Sequence, residues 1–212
     1  RNVKINVGPL RSGTALSATT LYRQMFKAAI PEENASYLPN EDALVKLISD
    51  KTLDVVVVVA GQPAKLLADM KPEARELVKL LKLDPDHPAS KAALATYFPA
   101  TVRATSYPNL LTEDLPGLAV KAFLVTYDYT RGDTAAVMGR FARALCQAFP
   151  TLQSEAHPKW REVELALPEL GRGWLYYPPT TRELRGCLAA AKQKPKVAAC
   201  NAQERVLGLC PS

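Results

Sequence analysis

The first half of the chain alternates between the hydrophobic patterns of strands and those of helices. Val3, Ile5 and Val7 alternate with polar residues, which is typical of a half-buried strand. Five consecutive valines, residues 55–59, predict a strand covered on both faces, as in a parallel sheet. The predicted strands are residues 3–7, 35–38, 55–61 and 78–83, and the predicted helices are residues 12–28, 40–48, 63–70 and 88–97. This alternation predicts an α/β fold, with a mostly parallel sheet flanked by helices.

The second half is predicted to be mainly helical. We expect a strand over residues 118–127 and an amphipathic helix over residues 134–149, with Val137, Phe141, Leu145 and Phe149 facing inward. A last helix over residues 182–192 should be capped by Thr180 or Thr181. The predicted domains are an α/β ligand-binding lobe over residues 1–130, a helical segment packed on or beside it over residues 131–194, and a cysteine-bearing tail over residues 195–212.

Ligands of α/β sheets bind beyond the carboxyl ends of the strands, which selects two loops here. The first joins the opening strand to the opening helix and contains Ser12, Gly13 and Thr14. Free N–H groups and a positive dipole end at that helix start would seat a carboxylate or phosphate. The alternative is that Ser12 only caps the helix. The second loop, residues 60–63, follows the valine strand and contains Gln62.

Composition is that of an ordinary globular protein, with 212 residues of which 48% are hydrophobic and 23% charged. We see no transmembrane run, and no signal-peptide pattern is visible, so a signal peptide is either absent or already removed. A strand this close to Arg1 suggests a chain cut upstream. The net charge of +6 is scattered, densest at Lys192, Lys194 and Lys196, and no nucleic-acid-binding signature accompanies it. The charge therefore indicates solubility or a mild attraction for anionic ligands.

Four cysteines leave the redox state open, because three of them lie near the carboxyl terminus and none forms a C-x-x-C pair. Disulfides of an extracytoplasmic protein would account for the even number, and buried reduced thiols are the alternative. Of the three possible pairings we favour Cys200–Cys210 with Cys146–Cys187.

No set of residues indicates catalysis. Leu10 stands where the nucleophile pattern G-x-S-x-G needs its first glycine, so Ser12 is not expected to be a nucleophile. His87 and His157 both precede prolines and are interpreted as loop or helix-start residues. We expect no enzyme activity, no metal and no cofactor. The aromatic group Trp174, Tyr176 and Tyr177 either packs a loop onto the core or lines a binding face.

Several motifs in order resemble those of the TAXI family of TRAP-transporter solute receptors, which are type II periplasmic binding proteins. They are NVGPLRSGTAL near the start, the residues around Tyr37 and Leu38, KTLDV leading to AGQP, the apolar segment 118–127 and the run AHP at residues 156–158. The resemblance covers residues 3–158. It implies one type II periplasmic-binding-protein lobe, with additional C-terminal helices.

Two departures from the family pattern matter. The chain begins where the family's second lobe would begin, so the N-terminal lobe of the same protein is expected to be missing from it. The family's His-Pro-Gly-Ala run is also absent, because residues 175–184 read LYYPPTTREL. Ligand chemistry therefore cannot be transferred to that region.

The resemblance implies a periplasmic or other extracytoplasmic receptor that binds a small organic anion, such as an amino acid or carboxylate, and delivers it to membrane permease subunits. Ser12, Gly13 and Thr14 would hold the ligand carboxylate. Further ligand-binding candidates are Arg11, Tyr37, Asn40 and Gln62. The alternative is a sensor or protein-interaction module that keeps the fold without transport.

Overall fold

The computed structural model describes residues 2–193, and its chain divides into two compact units, the first ending at Phe123 and the second beginning at Leu124. The predicted tail, with the favoured Cys200–Cys210 pairing and the lysines Lys194 and Lys196, lies outside the described residues.

A parallel sheet of three short strands lies at the start of the first unit. Its strands are β1 (Ile5–Asn6), β2 (Ala35–Ser36) and β3 (Val55–Val56), in the order β2-β1-β3. Ile5 pairs with Ala35 on one side and with Val55 on the other. The parallel order confirms the prediction, and it brings the carboxyl ends of all three strands to one edge.

Five helices belong to the first unit: α1 (Gly13–Phe26), α2 (Asn40–Ile48), α3 (Lys65–Ala68), α4 (Ala74–Leu77) and α5 (Pro88–Leu94). Val7, Ala15 and Ala18 form a buried cluster between the sheet and α1. Tyr97, just after α5, is also buried, and its hydroxyl donates to the Ser17 carbonyl of α1 at 2.8 Å. The core therefore fixes α1 against β1.

An antiparallel pair completes the first unit, and it corrects two predictions. β4 (Phe98–Val102) pairs with β5 (Leu115–Ala119) from Phe98↔Ala119 to Val102↔Leu115. The predicted strand 118–127 is therefore wrong, because the ladder ends at Ala119 where β4 begins, and residues 120–131 are irregular and exposed. The predicted strand 78–83 is wrong as well: residues 78–83 are irregular after α4.

Two further corrections concern the valine segment. Only Val55 and Val56 are in a strand, and Val59 is 39% exposed, so the segment is not covered on both faces as expected. The short partner strand β1 limits the ladder to these residues. The following helix begins at Lys65 and not at Pro63.

The second unit is a helix pair. α6 (Gly132–Glu155) and α7 (Pro178–Gln193) are joined by the predicted disulfide Cys146–Cys187, with the two Cα atoms 6.4 Å apart. Of the short 3₁₀ helices, Glu32–Asn34 and Ala104–Ser106 belong to the first unit and Pro158–Glu162 to the second. The predicted inward face of α6 is wrong in part, because Val137 and Phe141 are 46% and 50% exposed while Gly139 and Ala142 are buried.

Candidate functional site

A tight turn connects β1 to α1. The N–H of Ser12 donates to the Pro9 carbonyl at 3.1 Å, and Arg11 takes a left-handed φ of 62°. Gly8 has a φ of 87°, and a Cβ placed on it would lie 2.9 Å from the Thr14 side chain. A side chain at residue 8 is therefore excluded on both counts, and the turn lies directly against the first turn of the helix.

Ser12 is the N-cap of α1. Its Oγ accepts from the N–H of Ala15 at 3.0 Å, which confirms the capping interpretation. Among the described residues, no hydrogen-bond acceptor lies on the N–H of Gly13 or of Thr14. The cap therefore satisfies the N–H of Ala15 and leaves the N–H groups of Gly13 and Thr14 for a ligand.

The electrostatic surroundings of this helix start favour an anion. The first turn of α1 contains no acidic residue, whereas that of α2 contains Glu41 and Asp42. The positive end of the α1 dipole is therefore not compensated locally, and the exposed Arg11 adds a full positive charge beside it.

The helix start is open to solvent. Gly13 and Arg11 are exposed, Ser12 and Thr14 are half-buried, and a Cβ on Gly13 would meet no atom within 4 Å. We refer to the N–H groups of Gly13 and Thr14, with the hydroxyls of Ser12 and Thr14, as the anion seat.

Asn6 is a positioning residue that the sequence analysis missed. It is fully buried, its Oδ1 accepts from the Leu38 N–H at 2.8 Å, and its Nδ2 donates to the Leu38 carbonyl at 3.2 Å. These two bonds tie the end of β1 to the chain beyond β2. The available signal was its place in a central strand of a parallel sheet, where both faces are covered.

Tyr37 and Asn40 flank the segment that Asn6 holds. Tyr37 is 40% exposed, and Asn40 is the first residue of α2. The Asn40 Oδ1 is buried and has no hydrogen-bond partner in the described part of the chain. Both residues follow β2 and so lie at the same sheet edge as the anion seat.

Gln62 follows β3 at the same edge, but its amide is already engaged. Its Oε1 accepts from the N–H of Arg103 at 2.8 Å, and its Nε2 donates to the Thr101 carbonyl at 3.3 Å. These bonds attach the loop after β3 to the end of β4. A ligand at Gln62 would have to share the amide with these partners.

A hollow of the first unit lies apart from the anion seat. Its lining includes Lys4, Asn34 and Leu53 before the strands, Ser36 and Leu38 at the end of β2 and just beyond it, and Lys46 of α2. No residue of the anion seat is among its described lining residues. The seat itself is an open surface and not a closed cavity.

Neither histidine is near a cluster of metal-ligating residues. Within residues 2–193 no group of three or more His, Cys, Asp or Glu side chains is placed to hold an ion. The Nδ1 of His87 accepts from the Ala89 N–H, and that of His157 from the Lys159 N–H, so both cap short helices. None of the helices in this range is at once long and apolar enough to cross a bilayer.

A known family model matches most of the chain. The model of the NMT1-like family matches residues 1–166, which include β1–β5, the anion seat and α6. Comparisons with curated proteins and with solved structures gave no match.

Proposed function

The chain belongs to the NMT1-like family, a family of the periplasmic-binding-protein type, and from this premise we propose that it captures a small organic anion outside the cytoplasm for uptake. Proteins of this type serve in general as solute-binding proteins. Binding without chemistry accords with a site made of amides, hydroxyls and one guanidinium.

A single observation carries the proposal: the N–H groups of Gly13 and Thr14, which have no hydrogen-bond partner within residues 2–193, lie at an exposed helix start whose first turn lacks an acidic residue. Two converging N–H groups and a positive dipole end bind a carboxylate well. Arg11 would add charge-assisted hydrogen bonds to the same carboxylate. Tyr37 and Asn40, which follow β2 at the same sheet edge, would contact the rest of the ligand.

The proposed type of receptor rests on the sequence motifs. The run NVGPLRSGTAL, followed in order by KTLDV and AGQP, supports a TRAP-type receptor of the TAXI kind. In that assignment the ligand is an amino acid or carboxylate, and the receptor delivers it to membrane permease subunits.

The test substitutes Gly13. Proline is favoured at the first position of a helix, and Ser12, with φ −82° and ψ 159°, already has the extended conformation that a residue before proline needs. Gly13→Pro should therefore keep the fold while removing one N–H of the anion seat. Loss of a hydrogen bond to a charged group should weaken anion binding by about tenfold or more.

Gly13→Ala is the matched control, because it keeps the N–H and adds a methyl group where no atom lies within 4 Å. Thermal-shift screening with amino acids and dicarboxylates identifies a ligand, and calorimetry then compares the wild type with both variants. Wild-type affinity in Gly13→Pro would exclude the anion seat. No shift with any small anion would favour the sensor or interaction module instead.

A further inference from the structure

The loop before α7 ends in two exposed apolar side chains. The backbone N–H of Trp174 donates to the Gly171 carbonyl at 3.2 Å, which closes a turn that contains Gly173 with a φ of 87°. At the end of this turn, Trp174 is 52% exposed and Leu175 is 93% exposed. We call these two side chains the Trp–Leu tip. Part of the Trp174 side chain and nearly all of the Leu175 side chain are therefore in contact with water.

The residues after the tip are held in place, so the tip is presented on a fixed base. The Tyr176 hydroxyl donates to the Pro168 carbonyl. The Tyr177 hydroxyl donates to the Tyr129 carbonyl at 2.8 Å, and the Thr181 hydroxyl donates to the Tyr177 carbonyl at 2.9 Å.

A basic hollow of about 650 Å³ adjoins the tip. The described residues that line it are Tyr176, Pro178, Pro179, Thr181, Arg182 and Arg185, and none of these six is acidic. Arg182 and Arg185 are three residues apart on α7 and so project from one face. Both are exposed, and neither forms an ion pair within the described part of the chain.

Glu183, which is next to Arg182 on α7, forms an ion pair with an arginine of α6. Glu183 binds the guanidinium of Arg143 on α6 through two contacts of 3.0 Å. This pair lowers the pKa of Glu183, because the hydrogen bond and charge of Arg143 favour the carboxylate. Arg182 adds a smaller attraction to the same carboxylate. Because Arg143 already balances Glu183, the exposed Arg172, Arg182 and Arg185 leave this surface with a net positive charge even after Glu169 is counted.

We propose that the Trp–Leu tip and the basic hollow together dock the protein onto an anionic phospholipid bilayer. Tryptophan and tyrosine favour the membrane–water interface, and leucine favours the acyl region below it. Arginines placed behind such a tip lie at headgroup depth, where a negative surface attracts them. An acidic peptide would pair with the arginines but would leave Leu175 in water. An anionic bilayer would bind both the arginines and the exposed leucine, so we favour it.

Docking of this kind is weak and reversible, because one short tip and a few basic residues are far less than a membrane anchor. It goes beyond the proposed function, since it does not depend on which anion the first unit binds. It would concentrate the protein at the bilayer surface.

The experiment is co-sedimentation of the full chain with phosphatidylcholine vesicles, with and without phosphatidylglycerol, at low and high salt. We expect binding only to the anionic vesicles, with loss at high salt. Arg182→Ser should weaken it about fivefold and the double change Arg182→Ser with Arg185→Ser about 25-fold. Leu175→Ser should weaken it about tenfold.

Two controls match these changes within the second unit. Arg140→Ser removes an exposed arginine of α6, and Leu124→Ser removes a leucine that is 77% exposed. Neither should alter vesicle binding. A Trp160→Phe variant leaves Trp174 as the reporter, and its emission should move to shorter wavelength on the anionic vesicles.

Absence of binding to anionic vesicles would overturn the inference. So would an Arg140→Ser or Leu124→Ser effect as large as that of the tip and hollow variants. Binding without a change in Trp174 emission would also contradict it, because the tip would then remain in water.

Discussion

Backbone conformation at single residues shapes the anion seat. Gly8 and Arg11 both have positive φ values, of 87° and 62°, within the six residues that join β1 to α1. Glycine adopts this conformation freely, whereas for arginine it costs on the order of 1 kcal/mol. Strain of this kind often marks a functional site, and here the strained residue is the one that adds charge to the seat.

Gly8→Ala should destabilise the first unit by about 3 kcal/mol. The left-handed φ of 87° and a Cβ only 2.9 Å from the Thr14 side chain both oppose the methyl group. Urea unfolding of the full chain measures the loss. Gly13→Ala is the control and should be neutral or slightly stabilising, because its methyl group is unobstructed and alanine is the better helix former. Equal stability of the two variants would contradict the described turn.

Tyr97 gives the first unit a pH dependence. Burial raises the pKa of its phenol above the ordinary value of 10.0, and its hydroxyl donates to the Ser17 carbonyl. Because the folded state disfavours the phenolate, the unfolded state loses its proton first as the pH rises. Stability is therefore complete below pH 10 and should fall above it.

The measurement is unfolding of the wild type and of Tyr97→Phe between pH 8 and about 11. At pH 8 Tyr97→Phe should be the less stable by about 1 kcal/mol, since it lacks the hydrogen bond. The difference in unfolding free energy between the wild type and Tyr97→Phe should narrow above pH 10, because only the wild type loses stability as Tyr97 titrates. Parallel curves for the two proteins would show that Tyr97 does not titrate with unfolding.

At the scale of elements, the helices followed the sequence more closely than the strands did. Local signals mark α1, α2 and α5. They are the cap at Ser12, the prolines at residues 31 and 88, and the apolar spacing of each helix. These helices lie where they were predicted. Strand length depends on a partner instead. β5 ends at Ala119 because β4 offers no residue before Phe98, although the apolar run continues to Tyr127.

The buried face of α6 also depends on a partner element. Apolar spacing selected Val137 and Phe141, but Gly139 and Ala142 are the buried residues. A Cβ on Gly139 would lie 3.8 Å from Glu183 of α7, so small residues mark where the two helices approach. Size complementarity with a partner helix, and not hydrophobicity alone, decides which face turns inward.

Removal of the Cys146–Cys187 disulfide should destabilise the second unit by about 4 kcal/mol, from the loop entropy of a bridge with a sequence separation of 41. The variant is the double change Cys146→Ala with Cys187→Ala. Cys200→Ala with Cys210→Ala serves as the background for both proteins, so that no other cysteine can substitute. Thermal unfolding compares the two, and identical midpoints would mean that the bridge adds no stability.

At the scale of the whole molecule, two irregular stretches divide the chain. Residues 120–131 lie around the boundary of the two units, and residues 163–177 separate the last 3₁₀ helix from α7. Exposed aromatic and aliphatic side chains occur in both, including Tyr127 at 77% and Leu175 at 93%. Such stretches are preferred sites of proteolytic cleavage.

Limited digestion with chymotrypsin should therefore cut first within these two stretches. A cut within residues 163–177 falls inside the loop closed by Cys146–Cys187, so its two products should stay together until a reductant is added. Electrophoresis with and without reductant, with mass spectrometry of the products, checks both points. Early cuts within α1 or α6 would contradict the described fold.

Local periodicity and turn chemistry were enough to predict the α/β class, the parallel arrangement of the first strands and the cap at Ser12. The four cysteines left three pairings and the reduced state open, and the structure selects Cys146–Cys187 among the described residues. Contacts between distant segments decide the buried role of Asn6, the hydrogen bonds that engage Gln62, the ends of β3 and β5 and the exposure of Leu175. Each of these depends on which distant segment arrives as a neighbour, and a residue's own pattern does not encode that neighbour.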